Sequence, residues 1–333
     1  MRSLKKYLPV CAAFALALSI FRCAEAQAQQ GQSGSAVAAF AVMDAASGYI
    51  LQASNADAKL QIGSLTKIAT AMVVLDWIDL TKHSADETAT VPPEATALGG
   101  QNAVGFQPGD QATLRDLLYA AMLQSDNIAA LTLAMHVGGQ LESPAASSAE
   151  KATPEVRFVA QMNALARHLG MKNTLFTNPH GLEGNERKLP FSTAADLARL
   201  TRYAEEKSQF RFYVSQQDRV ITLLHPTGEQ TQYRLQNTNE LLGTDGIDGV
   251  KTGRTRRAGD CVIISAARAP ESIQQGDKYI ITPRRLIVVV LGATSRFEVA
   301  ANLLRSGWQT YENWAAQGRP MPPERGESTG RRR

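Results

Sequence analysis

The stretch Ile62-Gly63-Ser64-Leu65-Thr66-Lys67-Ile68-Ala69-Thr70-Ala71-Met72 decides how this chain is read. Ser64 and Lys67 stand three residues apart where an apolar pattern begins, with Ile68, Met72, Leu75 and Ile78 at helical spacing. That periodicity predicts a helix over 66–80 with Ser64 and Lys67 on one face at its start. A serine hydroxyl is a weak nucleophile until a neighbour takes its proton. A lysine amine can take it only if its pKa falls from the free value near about 10.4. Burial and a second cation nearby both lower it. The unpaired N–H groups at a helix start favour negative charge developing there. Ser-x-x-Lys is weak alone, since it recurs at Ser3/Lys6 and Ser148/Lys151, in a leader-like segment and in a polar loop.

Two further motifs follow in order. Ser125-Asp126-Asn127 separates helical patterns over 114–123 and 128–137. A loop there turns Ser125 and Asn127 into a cleft, where Ser125 relays a proton to a leaving amine and Asn127 holds Lys67 and a substrate amide. Viewed alone, Ser125 is equally well a capping residue for the next helix. Lys251-Thr252-Gly253 begins a predicted strand. An edge strand pairs with an extended peptide, Lys251 and Thr252 grip a terminal carboxylate, and Gly253 admits a close backbone. Lys251 is also the second cation expected beside Lys67. The strand N–H beyond Gly253 and that of Ser64 would form an oxyanion hole.

Around these motifs the chain runs strands, helices, strands. A hairpin is predicted over 37–52, helices over 156–169 and 192–206, with Ser192 or Thr193 as cap, and strands over 219–224, 232–235, 261–267 and 286–292. Residues 269–283 are expected to be a polar connecting loop, and 297–314 a closing helix. The fold class expected is α/β in the α+β sense: one mainly antiparallel sheet flanked by helices, with a helical part over about 64–207 inserted between the strands. The catalytic domain is placed at 36–318.

The first 26 residues have the form of an export signal: Arg2, Lys5 and Lys6, then an apolar run to Phe21, then small-x-small sites at Ala24-Glu25-Ala26 and Ala26-Gln27-Ala28. A Gln, Gly and Ser rich linker over 27–35 follows. The signal carries four cations against Glu25, most of the formal charge of +4, so the mature chain is near neutral and no nucleic-acid partner is expected. The end, 319–333, is a basic solvated tail whose arginines would make at most weak contact with an anionic surface. Cys11 and Cys23 fall in the signal, leaving Cys261 in an apolar run as a core residue. The five histidines lack ligand spacing, so neither a metal nor another cofactor is expected.

The chain resembles the serine D-Ala-D-Ala carboxypeptidases, the low-molecular-mass penicillin-binding proteins of peptidase family S11. Besides the three motifs, the likeness lies in Gln107-Pro108-Gly109-Asp110, Leu169-Gly170-Met171-Lys172-Asn173-Thr174, Phe176-Thr177-Asn178-Pro179-His180-Gly181-Leu182 and Asp248-Gly249-Val250 before Lys251. The resemblance implies a β-lactamase/transpeptidase-like fold and an acyl-enzyme on Ser64 formed from a peptidoglycan stem peptide. Lys67 then takes the proton, Ser125 protonates the leaving group, and Lys251 binds the carboxylate. It also implies β-lactams as covalent inhibitors and an exported, periplasmic location. Arg254, where His or an aromatic is frequent, and Asp260, where an aromatic is common, depart from the family pattern and bear on substrate preference. A DD-endopeptidase cutting cross-links is the alternative. A class A β-lactamase is disfavoured because no Glu-x-x-Leu-Asn string lies between Ser125 and Lys251. A non-catalytic wall-binding module is disfavoured by the intact motifs.

Overall fold

The computed structural model describes residues 36–99, 102–142, 152–184, 189–275 and 277–321. The stretches read from the sequence as an export signal and a linker, and the residues after Met321, lie outside the described ones.

In chain order the strands are β1 (Ala39–Asp44), β2 (Ile50–Ser54), β3 (Thr88–Thr90), β4 (Gln111–Thr113), β5 (Asp218–Leu224), β6 (Gln230–Gln236), β7 (Ile247–Thr255), β8 (Gly259–Gln275) and β9 (Lys278–Ala293). The α-helices are α1 (Lys67–Thr81), α2 (Leu114–Met122), α3 (Asn127–Gln140), α4 (Pro154–His168), α5 (Ala194–Glu205), α6 (Ser208–Val214) and α7 (Arg296–Ala316).

The early hairpin and the late strands form one antiparallel sheet in the order β2-β1-β9-β8-β7. Its two faces explain why 286–291 is apolar without alternation, since both are covered and every one of these residues is buried. Val42, Val262, Ile264, Val288 and Val290 pack on Ala300, Leu304 and Trp308 of α7. Ala41, Met43, Ile263, Ile287 and Val289 face the helical block. Cys261 belongs to this second core, and burial pushes its thiol up to about 11. It is a packing residue.

At the centre of the block, α1 is buried from Lys67 through Leu75, so it is apolar nearly all round. Side-chain caps set the starts of its neighbours: Thr113, Asp126, Thr153 and Thr193 each accept the N–H three residues on, opening α2, α3, α4 and α5.

Three expectations are corrected. Residues 219–224 and 232–235 do not join the main sheet; as β5 and β6 they belong to a second sheet, β3-β4-β5-β6. Its other strands, β3 and β4, have three residues each, too few to leave a period in the sequence. Residues 269–283 are not a loop. They continue β8 and β9 as a two-stranded ribbon with Ser272 opposite Ile281 and Gln274 opposite Tyr279. Much of that ribbon is exposed, so polar residues suit its faces. The helical part also continues past 207 through α6. At the C-terminal end, Arg319 pairs with Glu271 and its guanidinium also meets the Tyr311 hydroxyl at 3.2 Å, so it docks on the domain.

Candidate active site

Ser64 lies in a 3-10 turn, Gly63–Thr66, and α1 starts at Lys67. The nucleophile candidate therefore stands just ahead of the helix. Lys67 is fully buried, with Nζ 3.0 Å from Ser64 Oγ, 2.7 Å from Asn127 Oδ1 and 3.0 Å from the His180 carbonyl oxygen. A neutral amine has two N–H donors and one lone pair. Asn127 and His180 offer only acceptor oxygens here, so they take both N–H bonds and leave the lone pair facing the Ser64 hydroxyl. Burial lowers Lys67 to about 7, with the charge of Asp126 acting against it. That is the range in which an amine is a base at neutral pH.

Asp126 is the cap of α3, its Oδ1 accepting from the Ala129 N–H at 2.9 Å, and burial raises its pKa. The capping alternative for Ser125 is thereby corrected. Ser125 instead takes φ of 65°, in the left-handed region, is 5% exposed and has no side-chain hydrogen bond among the described residues. A non-glycine residue held there is a strained feature of the kind found at functional sites.

The loop over 178–182 supplies a partner that the motifs do not contain. Asn178 Oδ1 accepts from the Gly181 N–H at 2.7 Å, and Thr70 Oγ1 donates to the Pro179 carbonyl at 2.6 Å. Gly181 has φ of 84°, and a Cβ there would stand 2.0 Å from the Gly63 carbonyl oxygen. Only glycine lets the loop press against the turn bearing Ser64, which aims the His180 carbonyl at Lys67. The His180 ring is not the active part: burial, then the Lys67 charge, lowers it to about 3, and its Nδ1 accepts from the Leu182 N–H at 3.1 Å.

The third motif lies on β7, an edge strand. A Cβ on Gly253 would come within 2.9 Å of the Ile62 carbonyl oxygen and 3.2 Å of the Leu65 nitrogen, so glycine is required where β7 meets the Ser64 turn. Lys251 is buried, its Nζ donating to the Thr252 carbonyl at 3.0 Å. Burial, then the charges of Lys67 and Arg296, hold it well below its ordinary value. Thr252 and Thr238 share a hydroxyl–hydroxyl bond of 2.7 Å, and the Thr238 N–H donates to the Leu123 carbonyl at 3.1 Å. This ties β7 to the segment leading into Ser125. Ser64, Lys67 and Asn127 thus meet through direct hydrogen bonds, while Lys251, Thr252 and Gly253 form the facing strand.

Sequence reasoning missed the His180 carbonyl, Thr238 and Arg296, whose Nη1 donates to the Gly253 carbonyl at 3.2 Å. The first lay inside a conspicuous string but acts through its backbone. The other two are single residues far from the motifs in sequence, with no pattern to mark them.

Residues 24–295 match the family model described as D-alanyl-D-alanine carboxypeptidase. The chain belongs to that family. It is similar to D-alanyl-D-alanine carboxypeptidase DacC of Escherichia coli, 34% identical over 284 residues, which are 82% of this chain and 62% of that protein. The chain thus spans less than two thirds of the length of that relative. Among solved structures, that of the Streptomyces K15 DD-transpeptidase superposes with a TM-score of 0.66 at 28% identity, covering 82% of this chain and 97% of the other. Penicillin-binding protein D2 of Listeria monocytogenes, solved in an ampicillin-bound form, superposes with a TM-score of 0.62 at 29% identity, covering 82% and 97%. These likenesses establish the transpeptidase-like fold expected from the sequence.

Proposed function

We infer that this carboxypeptidase-family chain is a serine DD-peptidase that removes the terminal D-Ala from peptidoglycan stem pentapeptides. The observation that carries the reading is the Lys67 amine, whose two N–H donors face Asn127 and His180 oxygens while its lone pair faces Ser64 Oγ. Ser64 Oγ attacks the carbonyl of the penultimate D-Ala as its proton passes to Lys67. The C–N bond then breaks as the proton held by Lys67 passes through Ser125 to the departing amine, which leaves Lys67 neutral and Ser125 protonated as before. Water enters and attacks the ester while Lys67 takes its proton, and that proton returns to Ser64 Oγ as the acyl group leaves as the acid. The Thr252 hydroxyl and the positive charge around Lys251 and Arg296 attract the terminal carboxylate, Asn127 also donates to the substrate amide, and Gly253 lets β7 lie against the Ser64 turn so that its edge can take the peptide. β-Lactams would acylate the same oxygen. Residues 1–26 would export the catalytic domain over 36–318 to the periplasm; most of the family match, over 24–295, falls within that domain.

The test is mass spectrometry of products from a stem pentapeptide and from a cross-linked dimer, with wild type and Ser64→Ala. D-Ala release by wild type alone supports the reading. Cleavage of the dimer without D-Ala release would replace it with the endopeptidase alternative, and fast penicillin turnover would replace it with a lactamase.

A further inference from the structure

The Thr252 hydroxyl belongs to a short chain of donors that can run in two directions. Thr252 Oγ1 and Thr238 Oγ1 are 2.7 Å apart, and Thr238 Oγ1 also lies 3.2 Å from the Leu123 carbonyl oxygen. Each hydroxyl has one proton to donate and lone pairs with which to accept. In one arrangement Thr238 donates to the Leu123 carbonyl and accepts from Thr252. Both protons are then used within the protein, and Thr252 offers a substrate only lone pairs, which a carboxylate repels. In the other arrangement Thr238 donates to Thr252, and the Thr252 proton is free for a group outside.

Only the second arrangement serves a carboxylate, and changing from the first costs little. The hydroxyl bond given up, Thr238 to Leu123 at 3.2 Å, is longer than ordinary O–H···O bonds of about 2.5–3.0 Å. The Leu123 carbonyl keeps the Thr238 N–H at 3.1 Å, so no acceptor is stranded. Thr238 is also held firmly in place between β6 and β7. The Gln236 N–H donates to Gln124 Oε1 at 2.9 Å, Asn237 Nδ2 to the Val214 and Gln216 carbonyls at 3.1 and 3.0 Å, and Asn239 Nδ2 to the Gly249 carbonyl at 2.9 Å. Thr252 is 4% exposed, and Thr238 is the one partner of its hydroxyl among the described residues.

We propose that Thr238 is a positioning residue for recognition of the substrate carboxylate: the anion selects the arrangement in which Thr238 donates to Thr252 and Thr252 donates to the carboxylate. A hydroxyl that donates to an anion is a stronger acceptor in turn, so the two bonds of the chain reinforce each other. Thr238 thereby acts through Thr252 and not on the reacting atoms. The inference rests on the DD-peptidase reading and deepens it.

The test gives the full chain two thioesters of one N-acyl-D-alanine. One is made with thioglycolic acid and ends in a carboxylate; the other is made with methyl thioglycolate and does not. Both deliver the same acyl group to Ser64, so the ratio of their kcat/KM values reads recognition of the carboxylate. Benzylpenicillin acylation of Ser64, followed by intact mass, is an independent measure of the site. Wild type should favour the carboxylate thioester. Thr238→Val keeps the branched shape and removes the hydroxyl, and it should lower the ratio roughly three- to tenfold, the scale of one hydrogen bond. Thr238→Ser should restore the ratio, and Thr238→Ala should repeat the valine result if valine prevents folding. Thr252→Val should lower the ratio too, and adding Thr238→Val to it should change nothing further. A ratio kept in Thr238→Val, a loss that falls equally on both thioesters, or additive effects of the two valines overturns the proposal. A wild-type ratio of about one overturns it while the peptidase reading stands. Failure of both thioesters together with failure of penicillin acylation overturns both.

Discussion

At the scale of single residues the proposed chemistry depends on the protonation of Lys67. Its amine is buried among two carbonyl-type acceptors and the Ser64 hydroxyl, and burial lowers it to about 7. The base is the unprotonated form. Below that value the lone pair is occupied by a proton, and acylation should fall about tenfold for each pH unit; above it, acylation should level off. The second-order rate of benzylpenicillin acylation, followed by intact mass against pH, measures this. A rate that is flat from mildly acid to mildly alkaline pH would rule out Lys67 as the base. His180 should contribute no step to the profile near its ordinary range, because its ring stays neutral down to about 3.

At the scale of elements, the site is a contact between four pieces: the turn entering α1, the segment Ser125–Asn127 that opens α3, the loop over 178–182 and the β7 edge. Each was marked in the sequence by its own string, which is why Ser64, Lys67, Asn127 and Lys251 were legible there. What the strings did not show was how the pieces touch. The His180 carbonyl reaches Lys67 only because Gly181 allows the loop to lie on Gly63. Backbone groups have no letter in the sequence, so such a partner is invisible until the loop is placed. The same holds for the second sheet, since β3 and β4 are defined by pairing and not by pattern. Gly181→Ala tests the contact. A Cβ at 2.0 Å from the Gly63 oxygen, on a backbone with φ of 84°, must move the loop or the turn. The expected cost is about 2 kcal/mol or more of stability. Penicillin acylation should fall well beyond the loss in folded protein, because Lys67 loses an acceptor. Thermal melting and acylation measured on the same sample separate the two effects; wild-type acylation in a folded variant would refute the contact's role.

Across the whole molecule, stability and function place opposite demands on buried charge. Glu205, at the end of α5, is buried behind β7. Arg285 stands 3.2 Å from its Oε2 but directs its hydrogen bonds to Asp248, at 2.6 and 2.7 Å, and to Ser265, at 2.7 Å. Burial, only partly offset by Arg285, raises Glu205 to about 7. A free glutamate titrates near about 4.3. Between those values the unfolded chain has released a proton that the folded chain keeps, so stability falls as pH rises through this window. Below the window Glu205 contributes nothing; above it the loss is complete, at about 4 kcal/mol. Lys67 has the reverse sign in a different window. From about 7 to about 10.4 the unfolded chain holds a proton that the folded chain lacks, so stability recovers as pH rises. The two groups together place a dip in stability near neutral pH, where Lys67 becomes competent as a base. Glu205→Gln should remove the decline in melting temperature between mildly acid and neutral pH while leaving the alkaline recovery in place. The quantity to read is the difference between wild type and variant against pH, which cancels every other titrating group; a difference that stays constant from pH values below the glutamate range to neutrality would show that Glu205 ionises normally in the fold.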